Sequence, residues 1–589
     1  MRVAVLLEER CKPNSNAFAY LKKYSAMCDR ECIQFEGDKC KIIEAACPVC
    51  LTRAKHCPDD AVKIINLPEE LDSEMTHCYG ENGFRLFRLP SPRQEQVVGI
   101  LGSNGIGKST AINLLSGTFM PNLGEWANPN PDWQDVISSF PRGELRDYLD
   151  LVSNDNISIA VKPQYVDKLP KIFDGEVNDL LERVDDRNEI EKFSETLGIG
   201  NILNRTLESL SGGELQRVAL CATLLKEADV YFFDEPSSYL DIFERMRMVG
   251  IVQSLSSRGK RVLVVEHDLA ILDVLCDSIH VIYGERAAYG IFTPPRSTRT
   301  AINAYLEGFL TEENIRIREK PIRFLRGRNR GEEVGDPILK WGGIKKNLGD
   351  FKLQTDEGNV KSAEVVGVVG PNATGKTTLV KIIDGQIDPD EGWCTMDAEV
   401  SFKPQHVSTD FDGTVQEWLD SELGNKWSSG EFHTQVIRAL QVDKMLELDC
   451  RKLSGGELQA VCIALCLGKD ADLYLFDEPS AHLDANARME AAKSIRRTME
   501  SNEKAAMVID HDTYFLDIVS DSLLVFQGEG GKNGHAVGPL PLRKGMNLFL
   551  SQADVSFRRD VESHRPRINK PSSRKDREQK ASGELFYTD

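Results

Sequence analysis

The octapeptide Leu210-Ser-Gly-Gly-Glu-Leu-Gln-Arg217 returns as Leu453-Ser-Gly-Gly-Glu-Leu-Gln-Ala460, the two copies starting 243 residues apart. Each copy places a Gly-Gly backbone just ahead of a helix. Free N–H groups and the helix dipole there favour anionic oxygens. A chain of 589 residues holds several domains. The repeat therefore predicts two like halves, each offering an anion-binding loop.

The residues around the first copy fall in a fixed order. Gln96-Val-Val-Gly-Ile-Leu101, a buried-strand pattern, runs into Gly102-Ser-Asn-Gly-Ile-Gly-Lys-Ser-Thr110, a Walker A loop followed by a helical stretch to Ser116. Its glycines let backbone N–H groups face phosphate oxygens, Lys108 reaches the β/γ-phosphates and Ser109 ligates Mg²⁺. The expected cradle is Asn104, Gly105, Gly107, Lys108, Ser109 and Thr110. Then come the Q-loop Lys162-Pro-Gln164, whose amide sees Mg²⁺ and the attacking water, and the strand Val230-Tyr-Phe-Phe-Asp-Glu-Pro236. Asp234 is the Walker B partner of Mg²⁺ and Glu235 the candidate general base. Ser238-Tyr-Leu-Asp241 is the D-loop, and Arg261-Val-Leu-Val-Val-Glu-His267 ends in a switch histidine for the γ-phosphate.

The second half repeats the set. Gly370-Pro-Asn-Ala-Thr-Gly-Lys-Thr-Thr378 is its Walker A loop, with Asn372, Gly375, Lys376, Thr377 and Thr378 in the cradle. Gln405 closes its Q-loop, Asp477 and Glu478 its Walker B segment, Asp484 its D-loop, and His511 is its switch histidine. Mg²⁺ is expected from Ser109 and Gln164 at one site, and from Thr377 and Gln405 at the other. Ala373 stands where the first copy has Gly105, on a backbone that calls for positive φ. This ordered set is identified as that of ATP-binding cassette (ABC) ATPases, whose signature loop meets a γ-phosphate held by the other cassette. Two composite sites follow: Lys108 with Ser454 and Gly456, and Lys376 with Ser211 and Gly213. Both catalytic glutamates are present, so both should hydrolyse ATP.

Eight of the 14 cysteines fall in the first 78 residues. Cys47-Pro-Val-Cys50 and Cys57-Pro58 match part of the bacterial ferredoxin pattern, with Arg53 where a third cysteine belongs. Three readings stay open: a retained iron–sulfur cluster, a ferredoxin-like unit without metal, or zinc held by Cys28, Cys32, Cys47 and Cys50. Cys32, Cys47, Cys50 and Cys57 are the candidate metal ligands.

No run of about 18 apolar residues suggests a membrane span, and the N-terminus lacks a signal-peptide pattern, so a soluble cytoplasmic protein is expected. The net charge of −20 argues against a nucleic-acid coat. Two basic stretches stand out nonetheless. Residues 316–330 carry seven bases against one acid, interleaved with apolar residues that suit RNA contact. Residues 555–580 carry nine bases against four acids. Lys108 to Gln164 spans 56 positions but Lys376 to Gln405 only 29. The surplus holds two amphipathic patterns around Pro141-Arg-Gly143, an inserted helix–loop–helix that is either a docking element or a tolerated surface insertion. The expected domains are 1–66 (ferredoxin-like), 67–292 (first cassette, with the insert at about 126–152), 293–337 (connector), 338–535 (second cassette) and 536–589 (hinge and basic tail). The fold class is α/β, two P-loop nucleotide-binding domains head to tail behind a small α+β domain.

The whole order resembles the ABC class E ATPases, the ribosome-recycling factors also called RNase L inhibitor. The phrases that carry it are Lys162-Pro-Gln-Tyr-Val-Asp167, Phe233-Asp-Glu-Pro-Ser-Ser-Tyr-Leu-Asp241, Asn128-Pro-Asn-Pro-Asp-Trp133, Ala288-Tyr-Gly290, Phe557-Arg-Arg-Asp560 and Arg565-Pro-Arg-Ile-Asn-Lys570. The resemblance implies a monomer whose twin cassettes close on ATP and part ribosomal subunits beside a release factor or Pelota-type partner. It also implies later residence on the small subunit, against rRNA and protein. It implies stacking of Tyr79 and Phe84 on the first adenine, and two [4Fe–4S] clusters on eight cysteines. Of those eight this chain keeps Cys11, Cys47, Cys50 and Cys57; Asn16, Tyr20, Tyr24 and Arg53 stand at the others. With three-plus-one crossed ligation neither cluster finds four thiolates. Ala460, Asp510 and His482 also replace the family's Arg, Glu and Tyr. The alternative to a recycling ATPase is an ATP-gated protein that occupies the small subunit without splitting ribosomes.

Overall fold

The computed structural model describes residues 2–586 except 8–9, 27–31, 38, 44–55, 59–60, 128–130, 325–335, 397 and 406–410. Cys28, Cys47, Cys50, Arg53, the far end of the basic connector and Asn128-Pro-Asn130 lie outside the described residues.

Two large sheets organise the chain. In the first, strands Ser278–Glu285, Val97–Leu101, Arg261–Val265, Val230–Asp234 and Ile159–Lys162 lie side by side in that order, all parallel. Val97–Leu101 and Val230–Asp234 are buried along their whole length, as parallel strands covered on both faces must be. Gly99 lets the helix behind it approach, since an added Cβ would stand 2.8 Å from Cys276 Sγ. The second sheet repeats this order with Ser522–Gln527, Val365–Val369, Ala505–Ile509, Leu473–Asp477 and Val400–Lys403. Antiparallel strands flank both. In each sheet the motif loops leave the carboxyl ends of the parallel strands, the edge where open α/β sheets bind ligands. No helix among the described residues is long and apolar enough to cross a membrane.

Ahead of the first sheet, Arg2–Leu6 pairs antiparallel with Val62–Asn66, beside helix Asn16–Ser25 and the hairpin Ile33–Glu36/Lys39–Ile42. Its small core contains Phe18, Leu21, Cys11 and Cys57, with Tyr20, Tyr24 and Cys40 packed against it. In the insert, Trp133–Ser139 and Glu144–Ser153 are helices, the first capped by Asp132. Their inner faces extend the first cassette's core: Ile137, Tyr148 and Leu149 cluster with Leu114 and Leu115, and Tyr148 Oη donates to Leu115 O at 2.7 Å.

Beyond the second sheet, strands Phe557–Arg559 and Pro566–Ile568 form a small ribbon. It uses part of the tail's basic charge inside the fold. The Arg565 side chain is fully buried, and Asp273 of the first cassette accepts from both Arg565 (3.3 Å) and Arg567 (2.6 Å). Arg559 lies 3.8 Å from Asp517. In the described part of the connector, Arg318 donates to the carbonyls of Tyr305 and Leu306 at the end of helix Thr298–Glu307. These cations are spent on the fold.

Candidate functional site

The Walker A glycines do what their positions require. Gly107 and Gly375 cap their helices at φ 102° and 93°. Gly105 has φ 74°, and its counterpart Ala373 is held at φ 57°, a left-handed conformation that costs an L-residue about 1–2 kcal/mol. Lys108 Nζ donates to Gly102 O (2.9 Å), Ser103 O (2.7 Å) and Asn104 Oδ1 (3.3 Å); Lys376 Nζ donates to Gly370 O (2.7 Å) and Pro371 O (2.9 Å). Both ammonium groups are buried, and desolvation draws them below the usual lysine range.

Two oxygen-rich corners face these lysines. Ser109 Oγ donates to Asp234 Oδ2 at 3.1 Å, and Thr377 Oγ1 to Asp477 Oδ2 at 2.9 Å. Hydroxyl plus carboxylate, with water and phosphate oxygens, is a donor set that suits Mg²⁺. Burial, then the neighbouring glutamate charge, raises Asp234 and Asp477 to about 6. Each must lose its proton to meet the cation. Mg²⁺–nucleotide affinity is thus expected to be flat above pH 6 and to fall about tenfold per unit below it. For folding the sign is opposite. The raised pKa favours the protonated fold, so its stabilisation is present at acid pH and lost as pH rises through about 6. Mg²⁺–nucleotide should then raise the melting temperature more at pH 7.5 than at pH 5.5; calorimetry at the two values checks both statements.

The candidate bases stand at strand ends in strained backbone. Glu235 and Glu478 have φ 47° and 48°, the kind of positive φ that persists where surroundings over-determine it. Glu235 Oε1 accepts from Gln164 Nε2 at 2.5 Å and lies 3.6 Å from His267 Nε2; Glu478 Oε1 accepts from Gln405 Nε2 at 2.7 Å and lies 3.6 Å from His511 Nε2. Burial pushes Glu478 up, but His511, Lys376 and Lys403 outweigh it and leave the carboxyl below its usual value. Burial drives His267 well down, so its ring is neutral. Asp510, shorter than its counterpart Glu266, still grips the next loop. It accepts from Ser480 N (3.0 Å), Ser480 Oγ (2.7 Å) and Asp512 N (2.8 Å).

The two halves interlock. Asn104 N donates to Asp484 Oδ2 (3.1 Å) and Asn104 Nδ2 to His482 O (3.4 Å). In mirror fashion, Asn372 N donates to Asp241 Oδ2 (2.7 Å) and Asn372 Nδ2 to Tyr239 O (3.2 Å). Tyr239 Oη and His482 Nε2 meet at 3.3 Å between the D-loops. Ser211 and Ser454 cap the signature helices in closed capping boxes with Glu214 and Glu457. Cβ atoms on Gly213 and Gly456 would come within 3.6 and 4.0 Å of the opposite Asn372 and Asn104 amides. Each signature loop therefore faces the other half's Walker A loop.

Tyr79 is half exposed, its Oη donating to Thr110 Oγ1 at 3.3 Å; Phe84 lies against Gly107, and the two rings are 6.4 Å apart. Sequence reasoning missed Phe351. It covers Gly375 with Leu353 just as Phe84 and Leu86 cover Gly107, and the signal was the repeated Phe-basic-Leu triplet. It also missed the lysines of both Q-loops. Buried Lys162 and Lys403 donate to the carbonyls of Asp234 and Glu235 (3.0 and 3.3 Å), and of Asp477 and Glu478 (2.8 and 3.3 Å). Gln216 and Gln459 hold the same glutamate carbonyls at 2.8 and 2.7 Å.

The N-terminal unit does not fit a four-iron cluster at the site resting on positions 11, 16, 20 and 57. Two of the four residues are Asn16 and Tyr20, and the Tyr20 ring packs 4.4 Å from Tyr24, the residue at a second ligand position. Cys11 and Cys40 share a hydrogen bond that draws Cys11 below the usual thiol range and drives Cys40 above it. Among the described residues, no three His, Cys, Asp or Glu side chains converge to hold a metal ion. Cys32 is buried, while Cys47 and Cys50 lie outside the described residues.

The sequence model of the ABC transporter family matches residues 91–238 and 353–481. The translation initiation factor RLI1 of Saccharomyces cerevisiae is 41% identical over all of this chain and 98% of its own. A solved structure of ribosome-bound archaeal Pelota and ABCE1 contains a chain 44% identical with TM-score 0.94, covering 100% of this chain and 99% of that one. The archaeal ribosome recycling factor aABCE1, solved with the stalk protein aP1, is 46% identical with TM-score 0.83, covering 88% and 100%.

Proposed function

Because the chain belongs to the class E family of ABC ATPases, we propose that it couples ATP-driven closure of two composite sites to separation of ribosomal subunits, followed by residence on the small subunit. The observation that carries this reading is the mutual grip of the two halves. Each Walker A asparagine is held by the opposite D-loop, so nucleotide at either site bears on both. Lys108 and Lys376 neutralise the phosphates, and Ser109 with Asp234, and Thr377 with Asp477, are the residues that would hold Mg²⁺, which would supply positive charge against the phosphates. Glu235 and Glu478 take the proton of the attacking water, with Gln164 and Gln405 fixing the carboxylates. His267 and His511 meet the γ-phosphate. Tyr79 and Phe84 at one site, and Phe351 at the other, are the rings assigned to adenine stacking, a role supported by Phe84 covering Gly107 and Phe351 covering Gly375.

The relatives' complexes supply the expected partners: a ribosome, a Pelota-type factor and the ribosomal stalk protein. A cytoplasmic setting goes with them. A second reading, an ATP-gated small-subunit binder without splitting activity, is favoured by one observation: at the cluster position resting on residues 11, 16, 20 and 57, Asn16 and Tyr20 stand in place of two thiols that would stiffen the unit. Sedimentation of ribosomes with the protein, a release or Pelota-type factor and ATP separates the two. Fall of whole ribosomes into subunits is the expected result. Co-migration with small subunits in non-hydrolysable ATP, with no splitting, selects the second reading.

A further inference from the structure

We propose that Arg286 binds the terminal phosphate of the nucleoside triphosphate at the first composite site, and that the second site has no equivalent. This rests on reading the Walker A and signature loops as that site. Arg286 lies on the turn between strands Ser278–Glu285 and Tyr289–Phe292. The turn is anchored on two sides. Ala287 N donates to Gly105 O at 2.8 Å, while Lys63, from the N-terminal unit, donates to Arg286 O at 3.0 Å and pairs with Glu285 at 3.1 Å. From there the side chain crosses between cassettes. Its stem covers Gly105, where an added Cβ would stand 2.8 Å from Arg286 Cγ. Its guanidinium reaches the second cassette's signature, with Nη2 donating to Ser454 Oγ at 3.3 Å and Nη1 lying 3.0 Å from Glu457 Oε1. The side chain thus spans Walker A to signature, the gap a triphosphate must bridge.

The second site is built differently at this point. Gly531 N donates to Ala373 O at 2.9 Å, and Gly528 at φ 129° matches Gly284 at φ 154°, so the register sets Gly530 opposite Arg286. A Cβ on Gly530 would stand 2.6 Å from Asn372 O, so no side chain fits. The volumes are exchanged: Gly105 makes room for an arginine stem, while Ala373 faces a glycine. The signature glutamates differ as well. Glu214 is met by Arg205 of its own cassette at 2.9 Å, Glu457 by Arg286 from across the interface. Arg286 is half exposed, and an exposed ion pair alone is worth little. A guanidinium has five donors in a planar fork suited to phosphate, and these contacts engage two of them.

The test is equilibrium binding of AMP-PNP and ADP to the full chain. With the second site disabled by Lys376→Ala, Arg286→Ala is expected to weaken AMP-PNP about tenfold or more and ADP less than about twofold. Arg286→Lys, which keeps charge but loses the fork, should fall between. With the first site disabled by Lys108→Ala, Arg286→Ala should change nothing. Equal loss for both nucleotides, or loss in both backgrounds, overturns the proposal and makes Arg286 an interface clamp. No loss anywhere overturns it too. If Lys108→Ala itself leaves binding intact, the site reading fails first and takes this proposal with it.

Discussion

Replacing both Glu235 and Glu478 with glutamine is expected to lower steady-state ATP turnover by about 10²–10⁴-fold, the usual contribution of a positioned general base. That corresponds to roughly 3–5 kcal/mol of barrier. The substitution should not disturb the sites. Each carboxylate already accepts an amide proton, from Gln164 at 2.5 Å and Gln405 at 2.7 Å, and a glutamine carbonyl can accept the same bond. That carbonyl would stay at the position 3.6 Å from the switch histidine, and the new amide N–H₂ would replace the other oxygen, which at Glu235 stands 3.4 Å from Ser238 Oγ, a hydroxyl that can accept from it. Binding should survive while chemistry stops, so the double variant should retain ATP through gel filtration, with its halves locked by the asparagine–aspartate bonds. Phosphate-release kinetics gives the rate. A wild-type rate in the double variant would mean that neither glutamate is the base.

Legibility followed the range of each interaction. Walker A, Walker B and the switch histidines lie within a few residues of a buried strand's end. Local glycine spacing and an apolar run such as Val230-Tyr-Phe-Phe were enough to find them. Phe351 escaped because its role depends on covering Gly375, 24 positions along the chain, and only comparison with Phe84 over Gly107 exposes it. Lys162 and Lys403 were in view, but their neighbours are backbone carbonyls on an adjacent strand, which no side-chain pattern announces. The tail was silent for a related reason. Nine bases in 26 residues do not announce that Asp273, nearly 300 positions upstream, folds against Arg565 and Arg567. Arg286 is subtler still. It was one more cation on a turn until the second cassette's signature loop came to meet it.

The second large effect is expected at that tail. Asp273, on helix Leu269–Leu275, is the anion of a node joining both cassettes to the C-terminal ribbon. Its oxygens accept from Arg565 Nη1 (3.3 Å), Arg567 Nε (2.6 Å) and Arg567 Nη2 (3.0 Å). Tyr514 of the second cassette lies within 3.1 Å of Arg565 and donates to Pro566 O. Asp273→Ala would leave the fully buried Arg565 hydrogen-bonded to Tyr514 and Asn303, neither of them charged, with Asp560 as a charge acting on it from outside those bonds. Stripping one partner from a buried ion pair costs about 3–5 kcal/mol, because the remaining charge stays desolvated. For a cassette-sized unit that is on the order of a 10 °C fall in melting temperature. Asp273→Asn, which keeps the hydrogen-bond acceptor and loses the charge, should cost less. The companion variant separates charge from packing. Asp273→Ala with Arg565→Met and Arg567→Met removes the stranded Arg565 together with Arg567, whose other partner Asp560 (3.2 Å) keeps Arg299 at 2.9 Å, and should recover most of the lost stability, as apolar replacements of buried ion pairs do. If Asp273→Ala melts within about 2 °C of the parent chain, the node is not what fastens the ribbon to the cassettes. If the triple variant recovers stability but not ATP-driven closure, the charges are kept for the motion between cassettes rather than for holding them together.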